Sequence, residues 1–186
     1  MGDHDQQALC DAFNRNCKRE GWPMRADAGL AFNAASLLAA HRVWHEKADG
    51  RAMPSREDMC PRALKAFLTE VALQDVVYDG DKIRFRSRVT GTQFAQTHGS
   101  GRGLFIDEAI PSPFRERWTA MLKLALDVGG PVRVTSPIEY QKRDYLQAET
   151  LCAPLGQAGS LPDAIFIVMH VSPRIGVVNA LKASAQ

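Results

Sequence analysis

The segment Ala164-Ile165-Phe166-Ile167-Val168-Met169-His170-Val171 restricts the fold more than any other stretch of the chain. Successive residues of an extended strand point to opposite faces, so this almost unbroken apolar run offers apolar side chains to both sides of a sheet. Only a strand in the middle of a sheet covered on both faces can bury them all. Two strands precede it with no helix between: Val132 to Tyr140 and Leu146 to Ala153, turning at Lys142-Arg143-Asp144 and again from Gly156 to Ser160.

Two more strands lie upstream. Val71 to Tyr78 is rich in β-forming residues and runs into Asp79-Gly80, a hairpin signal that folds the chain back antiparallel. The returning strand alternates, with Ile83, Phe85, Ser87 and Val89 on one side and Arg84, Arg86 and Arg88 on the other, the period of a half-buried strand. Beyond Gly91, Thr92 to His98 reads as a short helix closed by Gly99.

Helical periodicity fills the remainder. Leu30, Ala34, Leu37, Leu38, His41, Trp44 and His45 recur at intervals of three and four, one apolar stripe that ends at Asp49-Gly50. Such a helix covers its own sheet or a partner subunit. Pro61 suits the first position of a two-turn helix facing inward through Leu64, Phe67 and Leu68. Ser112-Pro113 opens a longer one, with Phe114, Trp118, Met121, Leu122, Ala125 and Leu126 on one face and Gly129-Gly130 after it.

The economical arrangement is an α+β domain: a five-stranded antiparallel sheet with the last strand central, the mid-chain helices on one face, and the Ala/Leu helix on the other face or in a dimer. Residues 1–26 are expected to form a flexible arm, 27–172 the domain and 173–186 a peripheral tail. Leu30, Leu37, Leu38, His41 and Trp44 are the expected homodimer interface.

A formal net charge of +2 over 186 residues argues against nucleic-acid binding as the main task. No stretch approaches the ~20 apolar residues of a membrane span. The N-terminus is polar and acidic where a signal peptide would be basic and then apolar. Cys10, Cys17, Cys60 and Cys152 form no CxxC pair, so neither a zinc knuckle nor a disulfide framework is encoded, and a cytoplasmic protein with reduced thiols is expected.

His41-Arg42-Val43-Trp44, Gly50-Arg51-Ala52-Met53-Pro54-Ser55-Arg56, the Cys60-Pro61 helix, Phe85-Arg86-Ser87-Arg88 and Gly91-Thr92 follow one another in a particular order and spacing. In this the chain resembles the bacterial single-domain PAS proteins, from about Ser36 to Val171. The resemblance implies a PAS fold, with the five strands in the order 2-1-5-4-3. It also implies a non-enzymatic sensory or interaction module in signal transduction, holding a small ligand between sheet and helices or passing signals through dimer contacts to a protein partner. No cofactor is identified by it. The flavin-bonding Asn-Cys-Arg-Phe motif of light-sensing members is absent, and the Gly99 to Gly103 loop is shorter than the family's usual passage.

The expected ligand site comprises Phe85, Phe94, His98, Trp118, Met121, Tyr140, Ile167 and Met169, since small-molecule sites use apolar walls with a few polar tips. His98 could ligate haem iron or bond a ligand, although capping is the commoner use of a histidine there. His170 reads as a buried histidine tied to a backbone carbonyl. His41 and His45 share a helix face at metal-ligand spacing, yet no third ligand is evident. The arginine stripe is expected to pair with Glu139, Glu149 or Asp75 on neighbouring strands. The glycine loop lacks the lysine of a phosphate loop. No nucleophile elbow or zinc motif is present. The alternatives are a small cone-shaped α+β enzyme of the isomerase or dehydratase kind, using Tyr140, Asp144, Glu149 and His170, or a structural adaptor with a filled core.

Overall fold

The computed structural model describes residues 2–99, 101–139 and 145–174. The chain forms α1 (Asp3–Glu20), β1 (Arg25–Asp27), α2 (Ala35–Ala48), a single 3-10 turn (Lys65–Phe67), β2 (Val71–Asp79), β3 (Lys82–Thr90), α3 (Thr92–His98), α4 (Ile106–Ala109), α5 (Phe114–Val128), β4 (Val132–Pro137), β5 (Leu146–Leu155) and β6 (Ala164–Pro173). Among the described residues the sheet has six strands in the order β1-β4-β5-β6-β2-β3, every pairing antiparallel.

The apolar run of β6 lies between β5 and β2, and Ala164, Ile165, Phe166, Ile167 and Val168 are at most 1% exposed. Its alternate residues feed two separate cores. Ile165, Ile167 and Met169 join Phe85, Phe94, Met121, Leu122 and Ala125 beneath α5. Phe166 and Val168 join Leu37, Trp44, Phe67 and Leu151 beneath α2.

The count of five strands is corrected to six, and the flexible arm over residues 1–26 is corrected with it. Cys10, Phe13 and Cys17, spaced three and four apart, are buried under α1 in the α5-side core. Asn14 then clamps the next segment: Ala26 N–H donates to its Oδ1 at 2.7 Å, and its Nδ2 donates back to the Ala26 carbonyl at 2.9 Å. That clamp holds Arg25–Asp27 against β4, in register with Thr135, Val134 and Arg133. The expected tail also begins inside β6, while residues 175–186 lie outside the described residues.

α2 covers its own sheet. Leu37 is fully buried and Trp44 is 3% exposed, with its Nε1–H donating to the Pro154 carbonyl at 3.0 Å. Burial of Leu37 alone contributes about 1.5–3 kcal/mol. These two are therefore core residues, a correction to their place in a dimer interface. Of the other interface positions, Leu38 is 46% exposed and Leu30 and His41 are half-buried. The Pro61 helix is also corrected: turns and the 3-10 turn take its place, burying Leu64 and Phe67 but leaving Leu68 at 44% exposure.

The N-terminus of α2 has an unusual anchor. Its N-cap, Ala34, has no side chain to offer the unpaired N–H groups there. The buried carboxylate of Glu149 on β5 accepts from Asn33 N–H at 3.1 Å and Ala34 N–H at 3.1 Å. Arg133 Nε donates to the same carboxylate at 2.6 Å and its Nη1 to Asp27 at 3.3 Å, so one charged chain ties α2, β5, β4 and β1 together. Negative charge at a helix N-terminus is also favourable to the helix dipole.

Candidate functional site

α5 crosses the sheet on the face opposite α2 and does not seal against it. Between Phe114, Trp118 and Met121 of the helix, Ile110 and Pro111 before it, Thr150 and Met169 of the sheet, and Ile138 just after β4 lies a cavity of about 110 Å³. Pro23 and Met24, leading into β1, close one side. The walls are mostly apolar. Ser136 and Thr150 supply hydroxyls, and Arg117 meets Glu139 in an ion pair on the lining.

Of the expected ligand residues, Trp118, Met121 and Met169 line this cavity. Phe85, Phe94 and Ile167 belong to the adjoining packed core, Phe94 against Trp118 with ring centroids 5.7 Å apart. His98 ends α3, but its side chain lies outside the described residues, as does the whole of Tyr140. Arg117 and Glu139 were missed. Arg117 stands three residues after Phe114 and four before Met121, so the helical stripe that selected those residues also places it inward.

The arginine stripe serves the architecture. Asp75 on β2 accepts from Arg56 at 2.8 Å, Arg86 at 3.3 Å and Arg88 at 3.3 Å. The Pro-Ser-Arg segment and the Arg-Ser-Arg strand thus converge on one buried carboxylate. Arg84 turns to Asp107 and Glu108 at 2.8 and 3.0 Å, and its guanidinium lies 3.7 Å from the centroid of Phe105. That guanidinium holds the Asp107 carboxyl below its ordinary range. The Gly91-Thr92 step has a steric basis, because a Cβ at Gly91 would fall 2.5 Å from the carbonyl oxygens of Leu68 and Thr69.

The histidines take other roles. His170 is half-buried and bonds a carboxylate, a correction to the carbonyl expected: its Nδ1–H donates to Glu70 at 2.9 Å. Glu149 and His170 are register partners on the α2 face, but each side chain is already engaged, the one by Arg133 and α2 and the other by Glu70. Neither lines the cavity under α5. Asp144, like Tyr140, lies outside the described residues. His41 and His45 stand with their Nε2 atoms 3.0 Å apart, one donating to the other, and burial together with the charge of His45 lowers the His41 pKa. Among the described residues no group of three or more His, Cys, Asp or Glu could hold a metal. Burial raises the thiols of Cys10 and Cys17 to about 11 and that of Cys152 further, so these three are protonated and inert at neutral pH. No helix of the described residues is long and apolar enough to cross a membrane.

No curated protein matches the sequence. The profile of the PAS domain family matches residues 32–169, which hold α2, the Arg56–Asp75–Arg86–Arg88 cluster, the Gly91-Thr92 step, strands β2 to β5 and β6 as far as Met169. On that match and on this α+β architecture, the chain belongs to the PAS domain family.

Proposed function

We propose that the chain is a sensory and interaction module whose input is a small, largely apolar molecule held between α5 and the sheet, and whose output passes by contact to a protein partner. The cavity under α5 carries this reading. Its few polar groups stand on otherwise apolar walls, the make-up of small-molecule sites. A ligand there touches α5, the turn before it and three strands at once. It would shift the population of α5 positions by binding one of them more tightly. Self-association through α2 can use the outward Leu38, because Leu37 and Trp44 are already spent on the core.

Native mass spectrometry of freshly purified protein, with and without added decanol, tests the reading. The expected result is a bound adduct, and its loss in Ala148→Leu, which adds a side chain to the cavity wall. A protein that carries nothing and takes up nothing would leave the filled-core adaptor as the better description. Against the enzyme alternative, Glu149 is paired with Arg133 and His170 with Glu70, and neither lines the cavity.

A further inference from the structure

We propose that the cavity selects amphipathic monocarboxylates, with Arg117 holding the carboxylate and the apolar walls taking the alkyl or aromatic body. This rests on the reading of the cavity as a ligand site. Arg117 places a guanidinium on the lining, with Glu139 as its ion-pair partner. Its side chain is only 16% exposed, and a cation so placed needs anionic hydrogen-bond acceptors. One nitrogen, Nη1, donates to Glu139. The buried Nε has no hydrogen-bond partner among the described residues.

The guanidinium is therefore held by fewer acceptors than its fork can engage. It lies 5.4 Å from the centroid of the Phe114 ring, on a lining shared with the apolar side chains of Met24, Ile110, Trp118, Met121 and Met169. A carboxylate can take two N–H groups of one guanidinium in parallel, a geometry that a neutral head group does not match. Glu139 is the expendable partner, because its side chain is 39% exposed and can turn into water. Exchange of Glu139 for a ligand carboxylate keeps Arg117 paired and leaves the released carboxylate hydrated.

Titration calorimetry with decanoate and decanol at neutral pH decides the matter. Decanoate is expected to bind wild-type protein at least about ten-fold more tightly than decanol, the size of one charge-assisted hydrogen bond. Arg117→Met should abolish that preference, and Arg117→Lys should retain part of it. Glu139→Gln removes the competing charge and should tighten decanoate alone. Equal binding of the two probes by wild-type protein, or a preference that survives Arg117→Met, overturns the inference while the cavity reading stands. Binding of neither overturns both. Should Arg117→Met not fold, as judged by circular dichroism, Glu139→Gln decides: no gain in decanoate affinity sinks the proposal.

Discussion

The two faces of the sheet are built from the same strands by opposite means. On one, the single helix α2 is fixed at its N-terminus by Glu149, along its length by Leu37 and Ala40, and toward its end by the Trp44 bond to Pro154. On the other, four separate helices of the described residues share the cover, and α5 spans a cavity whose wall holds three methionines, Met24, Met121 and Met169. Methionine is flexible and polarizable, suited to a wall that must close on different shapes. Directional bonds fix the α2 face. Adaptable packing leaves the α5 face room to respond.

The sharpest way to break this contrast is Glu149→Ala. It strips the α2 N-terminus of its acceptor and leaves Arg133, 16% exposed, with Asp27 alone. Loss of one partner from a buried ion pair costs about 3–5 kcal/mol, and the remaining Asp27 places this case near the lower end. Urea unfolding should show it. On the opposite face, Met169→Leu should cost less than about 1.5 kcal/mol, as volume-conserving exchanges do. Comparable losses from the two would erase the distinction.

Trp44→Phe asks how much of the α2 anchoring is directional. It keeps an aromatic body in the core but deletes the Nε1–H bond to Pro154, for an expected loss of about 0.5–1.5 kcal/mol in the same unfolding measurement. The smallest effect belongs to His41 on the outer side of α2. Its folded pKa lies below the ordinary 6.5, so above pH 6.5 neither state is charged and its contribution is constant. As pH falls below 6.5 the unfolded chain takes the proton first, and stability declines until the folded pKa is passed. His41→Gln should flatten that part of the stability profile below pH 6.5. An unchanged slope would show the pair with His45 to be without energetic consequence.

How much of this was legible in the sequence follows the same division. β6 announced itself because its pattern is apolar on both faces, and the β2–β3 hairpin because Asp79-Gly80 stands between alternating strands. The inward stripe of α5 could be read from spacing alone, and that of α2 in part: Leu37 and Trp44 are buried, but Leu38 is 46% exposed and Leu30 precedes the helix. α1 was missed because its stripe is two cysteines and a phenylalanine within a polar, charged helix. β1 could not be read, since Arg-Ala-Asp has no strand signal of its own and is held by Asn14 and β4. The cavity depends on residues far apart in sequence, Met24, Arg117 and Glu139 among them, and only the packing of α5 over the sheet brings them together. The polar partners of Glu149 and His170 are likewise contacts across the fold.

Hydrogen–deuterium exchange with and without decanol tests the central claim most directly, because it reads local opening element by element. The account predicts slow exchange in α2, β5 and β6 under both conditions, and faster exchange in residues 106–121 that slows when decanol is bound. Protection gained over α2 in place of α5, or none at all despite bound decanol, would contradict the assignment of the adaptable face.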